Sequence, residues 1–404
     1  MKFKNQFAAV LLCGLASLAF IAGCTYDVAE PVWDRPFTPS ATPVIKSVKP
    51  ASVAKAGDNY IRIYGDSLKQ GLDTDPTWVY FGSTQVDVLS ISKDSIVIRR
   101  PNIYIDSCTI KVVPKVATVE AKFGPYKITK VIEQYGGFLD NAPLNCLSVD
   151  NAGNLYVFDS LKVLYKFTAA TGLKTSVCTA SRSVTDAIFG PDGNLYYLGN
   201  NRIVDKVDLT TGTAARWVQL PSGKVVKCGD YSSNGYFYMG GLKTDLLAVN
   251  FTTPATVKAA GIYTGATEDI VSIHVAAGYV YVASRTGILP VKISRHLINA
   301  DGTVGPKESL LDLNDYPDYA ADMVSSIAVD VNGALYISLD GLTPLLIIDP
   351  VTKKPDAFYK GLIQPYCKKA VYGKLNYMYL LNGNTSAAEV WTVYRADMGV
   401  NGAQ

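Results

Sequence analysis

Six times in the last two thirds of the chain, a turn-like run leads into a tyrosine in nearly the same setting. The runs are Gly153-Asn154-Leu155-Tyr156, Gly193-Asn194-Leu195-Tyr196, Gly235-Tyr236-Phe237-Tyr238, Gly278-Tyr279-Val280-Tyr281, Gly333-Ala334-Leu335-Tyr336 and Leu375-Asn376-Tyr377-Met378-Tyr379. Their tyrosines lie 40, 42, 43, 55 and 43 residues apart. Strand-type segments that return every 40 to 50 residues or so, each opened by a tight turn, cannot bury their apolar faces one at a time. They predict blades stacked around an axis, a β-propeller. The abundance of tyrosine, 26 against 13 phenylalanines and four tryptophans, suits twisted and half-buried sheets.

One repeat read in full supports four strands per blade. Val184 to Phe189 is followed by the turn Gly190-Pro191-Asp192-Gly193. Asn194 to Leu198, Arg202 to Asp208 and, after Thr210-Thr211-Gly212, Ala215 to Leu220 complete the unit. Asp-Gly and Asn-Gly turns tolerate the positive φ that hairpins require. The run Asp-x-x-Gly-x-Leu-Tyr-Val resembles the NHL-type and related six-bladed propellers. The last blade lacks a good outer strand, because the tail from Ala396 to Gln404 is rich in Gly, Asn and Ala. The segment 127–135, just before the first repeat, is predicted to supply that strand and close the ring, which removes exposed sheet edges. The repeated tyrosines are expected to pack between blades. The 55-residue interval is expected to hold an extra segment around Asn299 to Pro317.

Residues 43–126 read differently. Tyr60-Ile61-Arg62-Ile63-Tyr64-Gly65 alternates, and Trp78-Val79-Tyr80-Phe81-Gly82, Ser95-Ile96-Val97-Ile98 and Thr109-Ile110-Lys111-Val112-Val113 follow at short intervals. Such spacing predicts a small β-sandwich. Pro43-Val44-Ile45-Lys46-Ser47-Val48-Lys49-Pro50, Gly57-Asp58, Ile63-Tyr64-Gly65 and Val79-Tyr80-Phe81-Gly82 together resemble an IPT/TIG domain, an immunoglobulin-like fold. In bacterial surface proteins that resemblance implies a spacer or interaction module, and the expectation here is a spacer. The predicted fold class is all-β: an immunoglobulin-like sandwich followed by a six-bladed propeller over 127–404.

The first residues read as targeting rather than fold. Lys2 and Lys4 precede an apolar stretch from Phe7 to Ile21 that is short for a membrane span. Ile21-Ala22-Gly23-Cys24 resembles a lipobox, with Ile where Leu is usual. That resemblance implies a signal peptide over 1–23, lipidation of Cys24, and a tether over 24–42 in which Pro31, Pro36 and Pro39 favour extended chain. Acyl chains at ~0.8 kcal/mol per buried CH₂ would anchor the protein to a membrane. Asp27 and Glu30 resemble the early acidic residues of surface-exposed Bacteroidota lipoproteins, which implies an outer-membrane protein facing the exterior.

Removing 1–23 takes away two lysines and no acid, leaving 36 basic against 35 acidic residues. A body so near neutrality, without a basic run, argues against nucleic acid as a partner. Five cysteines remain beyond Cys24, an odd number, so at least one thiol is free. Cys146 and Cys228 each lie ten residues before a repeat tyrosine, which places them on inner strands of blades that are not neighbours.

Propeller ligands bind where connecting loops gather on one face. On that face the sequence places Arg182, Arg202, Arg285, Asp318, Tyr316, Tyr319 and Tyr366 as ligand-binding candidates, with Asp340 and Asn384 nearby. Tyr316-Pro317-Asp318-Tyr319 combines rings with acids and predicts a sugar or peptide platform. The same loops offer no tryptophan, which leans toward a protein partner over strong sugar stacking. Catalytic motifs, phosphate loops and metal spacings are absent from the sequence, so no cofactor and no metal are expected. Of two histidines, His274 reads as a core residue on an inner strand and His296 as lying near a blade edge. Asp186, Asp269 and Asp322 are the acids that a lactonase-like channel site would draw on.

Lipoprotein features with a propeller resemble accessory proteins of Bacteroidota nutrient uptake, which work beside a transporter and lid of the SusC/SusD type. That resemblance implies non-catalytic capture of a glycan. The alternatives are a peptide- or protein-docking scaffold in such a complex, and a propeller lyase or lactonase.

Overall fold

The computed structural model describes residues 40–138, 143–254, 256–263, 268–287, 291–373, 375–383 and 391–403. Cys24, the signal segment, nearly all of the tether and Asn384 lie outside the described residues.

The N-terminal unit is a sandwich of two sheets. One runs Val44–Lys49, Tyr60–Asp66, Ser95–Arg99, Val88–Ile91, and the other Val53–Ala54, Ala121–Ile128, Ile105–Pro114, Thr77–Phe81, Thr84–Val86. The period of two sends Ile61, Ile63, Val79, Phe81, Ile96, Ile98, Ile110 and Val112 inward, and all are fully buried.

Six four-stranded antiparallel sheets follow, the blades of the propeller. Their innermost strands are Leu144–Val149, Asp186–Phe189, Cys228–Ser232, Glu268–Ala276, Met323–Val329 and Cys367–Tyr372, in blades 1 to 6. We call the face where these strands begin the upper face. In blade 6 the outermost strand comes from the far end of the chain: Ile132–Gln134 pairs with Trp391–Asp397, with Glu133 opposite Arg395. The expected closing segment is therefore shorter than 127–135. Lys127 and Ile128 pair with Val53 and Ala54 in the sandwich, where Ile128 is fully buried, so the sandwich extends past residue 126. Tyr135 then wedges between blades 6 and 1, edge-on to Tyr379 and Phe167 at 5.3 and 4.9 Å.

All six repeat tyrosines sit on second strands and none is more than 6 % exposed. They do pack between blades: Tyr156 meets Phe189 at 5.0 Å, Tyr196 meets Phe251 at 5.2 Å, and Tyr336 meets Tyr372 at 5.8 Å. The turn before each explains the repeated glycine. Asp150 Oδ1 accepts the N–H groups of Ala152 and Asn154, and Gly153 takes φ +83°. Asp330 and Gly333 (φ +81°) repeat this in blade 5.

Two expectations about the long interval are corrected. The excursion between the last two strands of blade 4, residues 298–307, folds back on blade 3, with Val304 N–H donating to Ala260 O and Gly302 against the Tyr236 ring. The loop after it is not a free platform. Tyr316 and Tyr319 are half-buried and pack on the shared core of blades 4 and 5, because Leu313 and Leu311 beneath them are buried.

The sandwich is not a free spacer either. Asp356, on the outer strand of blade 5, accepts hydrogen bonds from Asn59 Nδ2 (2.9 Å), Arg99 (3.1 Å) and the Tyr60 hydroxyl. Tyr359 completes the joint: its hydroxyl accepts from Gly57 N–H at 2.6 Å and donates to Asp397 O at 2.8 Å. The tail beyond Asp397 runs under blade 5, where Ala403 N–H donates to Val329 O.

Candidate functional site

Successive innermost strands are tied by side chain to backbone bonds. Asp186 accepts from Gly229 N–H (3.3 Å), Asp230 from Val275 N–H (2.8 Å), Ser272 from Ile327 N–H (3.2 Å) and Ser326 from Ala370 N–H (2.7 Å). Burying these polar groups is tolerable because each is satisfied, and the result is a rigid wall around the axis.

Across that axis Lys369 of blade 6 reaches Asp186 of blade 2, Nζ to Oδ1 2.6 Å. Asp186 is 2 % exposed and Lys369 15 %. Burial would depress the Lys369 pKa, but the Asp186 carboxylate overrides it and holds it above the ordinary lysine value. Lys369 lines both halves of the channel, so the pair divides it into an upper cavity of about 390 Å³ and a lower one of about 360 Å³.

The upper cavity is walled by Asn145, Thr185, Lys227, Ser272, Ser325, Lys368 and Trp391, with Asp186 and Lys369 as its floor and Asp340 exposed at its lip. Lys368 stands 4.9 Å over the Trp391 ring. The ring also lies against Gly383, where a Cβ would come within 2.4 Å of it. The Trp391 indole N–H is buried without an acceptor. Lys227 is anchored by its own carbonyl, which accepts from Thr185 Oγ1 at 2.7 Å. Burial pushes the Lys227 pKa below the ordinary lysine value; Cys228 and Asp269 oppose that and Arg285 adds to it.

The lower cavity holds His274, which comes 3.0 Å through Nδ1 to Asp230 while Nε2 has no partner. The expected roles of the histidines are thus exchanged. His296 is the satisfied core residue, 2.6 Å from the Tyr263 hydroxyl through Nε2 and 2.9 Å from Gly305 O through Nδ1. The thiols of Cys146, Cys228 and Cys367 are buried, pushed up to about 12 by that burial, and none of the five described cysteines is in a disulfide. They are small apolar fillers rather than nucleophiles.

None of the seven ligand-binding candidates drawn from the sequence lines the upper cavity. Arg285 comes nearest, 3.5 Å from Met323 Sδ on the wall and 3.9 Å from Asp269. Arg182 is held at 2.7 Å by the buried Asp205 carboxylate. Arg202 is exposed between the second and third strands of blade 2, and Asp318 is exposed in the loop with Tyr316 and Tyr319. Tyr366 sits half-buried at the entry to blade 6, its N–H on Gly341 O. Asp186, Asp269 and Asp322 do not converge: Asp186 faces Lys369, Asp269 accepts from Lys243 N–H, and Asp322 lies against Gly341. Among the described residues no three His, Cys, Asp or Glu groups could hold a metal.

Lys227, Lys368, Lys369 and Trp391 were not singled out by sequence. One signal was available: Cys146 and Cys228 share an inner-strand position, and Asn145 and Lys227 directly precede them. Trp391 opens the third strand of blade 6, so an indole reaches the cavity although the face loops themselves hold no tryptophan.

The family model of the IPT/TIG domain matches residues 43–127. No curated protein matches the chain. Among solved structures, an auxiliary nutrient binding protein from Bacteroides thetaiotaomicron is 11% identical over 89% of this chain and 99% of that chain, with a TM-score of 0.51. A second protein of that organism, of unknown function, is 13% identical over 89% and 98%, with a TM-score of 0.50. Regucalcin, a calcium-binding protein from Agrobacterium tumefaciens, is 12% identical over 67% and 94%, with a TM-score of 0.52. The chain, an IPT/TIG domain joined to a β-propeller, is thus similar in fold to these proteins over the shares given.

Proposed function

We propose that this protein is a ligand-binding accessory of nutrient uptake, held at the cell surface through Cys24, and that it captures a glycan in the upper channel mouth without converting it. The observation that carries the reading is the cavity of about 390 Å³ built on rigid inner strands, with hydroxyls, an amide, ammonium groups and an indole gathered in one place. The similarity to the auxiliary nutrient binding protein supports it, because that likeness takes in the sandwich as well as the propeller. Capture rather than conversion is supported by the floor, where the Asp186 carboxylate is neutralised by Lys369 and is no free base or metal ligand.

A second reading, a docking face for protein, is favoured by one observation. Leu161, Leu242 and Leu342 are exposed at matching second-to-third-strand loops of blades 1, 3 and 5, and Ile262, just after the outermost strand of blade 3, is exposed as well. A glycan array with the mature protein separates the two. Retention of a glycan that is lost in Trp391→Ala but kept in Tyr316→Ala/Tyr319→Ala supports the channel mouth. Loss in the tyrosine pair alone moves the site to the loop, and no glycan retained with co-purification of an outer-membrane transporter overturns capture in favour of docking.

A further inference from the structure

We infer that the upper cavity takes a negatively charged saccharide, with the Lys227 ammonium as the donor to its carboxylate or sulfate and the Trp391 ring in the wall beside it. The inference rests on the glycan reading above and narrows the class of glycan.

One donor in the cavity wall lacks an acceptor. Lys227 makes no ion pair among the described residues. The neighbouring acids are already committed: Glu268 is paired with Lys307 at 2.7 Å, Asp269 accepts from Lys243 N–H and lies 3.9 Å from Arg285, and Asp186 faces Lys369. The Trp391 ring lines the same cavity, but its indole N–H is buried out of a ligand's reach. A half-buried ammonium without an acceptor carries a desolvation cost that an incoming anionic oxygen relieves, and a charged acceptor relieves most.

The groups around it do not supply that acceptor. The Thr185 hydroxyl donates to Lys227 O, and the Ser272 hydroxyl accepts from Ile327 N–H. Asp340 is exposed at the lip, beside Asp322, and not at the floor. It would repel an anion approaching that side and so favours entry from the side of Lys227. A neutral sugar hydroxyl could accept from the ammonium, but it would leave it without a counter-charge.

The test is an array carrying matched sets of uronate-bearing, sulfated and neutral oligosaccharides, followed by titration calorimetry of each retained compound and its carboxyl-reduced or desulfated counterpart. The expected result is retention of charged compounds, weakening by about tenfold or more on neutralisation of the ligand and in Lys227→Gln, near-native binding in Lys227→Arg, and affinity that falls with salt. The carboxyl-reduced arm against the desulfated arm tells which anion is read. Equal binding of neutral counterparts overturns the inference and leaves the glycan reading standing. Charged binding unchanged in Lys227→Gln with a native melting temperature overturns it as well. Retention of no saccharide at all overturns both.

Discussion

The Lys369 ammonium lies 2.6 Å from the Asp186 carboxylate, and this single contact joins blade 6 to blade 2 through the channel. A propeller otherwise holds itself together only between neighbours. The pair both braces the ring and sets the depth of the upper cavity. Removing one partner leaves the other charge buried. Lys369→Met or Asp186→Asn is therefore expected to lower stability by about 3–5 kcal/mol, while Asp186→Leu/Lys369→Met regains most of that loss. Urea denaturation of the three variants measures it. Single variants as stable as the parent would show that the pair carries no structural weight.

Asp356 collects three donors from the sandwich, Asn59, Arg99 and Tyr60, although it belongs to blade 5. Asp356→Ala takes the carboxylate from the Tyr60 hydroxyl and leaves Asn59 and Arg99 with their bonds to Ala357 O at 3.0 and 3.1 Å, at a cost of about 1–3 kcal/mol. The sandwich keeps its own core, so the variant is expected to release it rather than unfold it. Calorimetry should resolve two transitions where the parent gives one, with faster proteolysis between residues 128 and 132. A single unchanged transition would mean that the joint is held elsewhere.

Tyrosine ionisation reports on the blade contacts. Burial pushes Tyr238 and Tyr379 up to about 12, and burial with the Asp356 hydrogen bond does the same for Tyr60. Tyr156, Tyr196 and Tyr336 are raised further, again chiefly by burial. These groups hold their protons more tightly folded than unfolded, where the value is about 10. Their contribution is fully present below about pH 10 and is lost as pH rises through the folded values. Ultraviolet titration should show a late tyrosinate class that appears together with unfolding. Smooth titration of all tyrosines near pH 10 with the fold intact would contradict the packing described.

Gly383 keeps Trp391 in the cavity wall. A Cβ there would fall 2.4 Å from the indole ring. Gly383→Ala is expected to tip the ring off the second strand of blade 6, breaking the contact with Lys368 at 4.9 Å. Ligand binding should weaken about as much as in Trp391→Ala, and the melting temperature should fall as well, because Trp391 packs at the edge of the core shared by blades 6 and 1. Unchanged tryptophan fluorescence and binding in Gly383→Ala would remove Trp391 from the site.

The architecture was legible because it is written in repeated local chemistry. The Asp150 and Asp330 turns, their positive-φ glycines and the buried tyrosines recur at one register, and the alternation in Tyr60–Asp66 shows the sandwich. The site was not legible in the same way, since it is made by long-range closure. Lys369 and Asp186 are 183 residues apart, and nothing local to either marks the other. Tyr316 and Tyr319 looked exposed because their neighbours are Asp, Asn and Pro, yet the buried Leu311 and Leu313 draw both rings inward. Trp391 was overlooked because it opens a strand instead of sitting in a loop.

His296 gives the chain an acid-side liability. Its Nδ1 lies 2.9 Å from Gly305 O and its Nε2 2.6 Å from the Tyr263 hydroxyl. A neutral ring that donates from Nδ1 and accepts at Nε2 satisfies both. Burial pushes its pKa below the ordinary histidine value; the Gly305 bond opposes this and the nearby Lys307 adds to it. The unfolded chain therefore takes up the proton first, near pH 6.5. Stability is fully present above that pH and declines as pH falls below it, with a slope of up to about 1.4 kcal/mol per pH unit, until the folded ring also protonates. His296→Gln keeps a donor and an acceptor and cannot titrate. Its stability between pH 7 and pH 5 should fall less steeply than the parent's, as measured by urea midpoints. Parallel profiles for the two proteins would mean that folding leaves the ring's proton affinity unchanged, and a parent profile flatter than that of His296→Gln would mean that the ring is charged in the fold, with Nε2 donating to the Tyr263 hydroxyl.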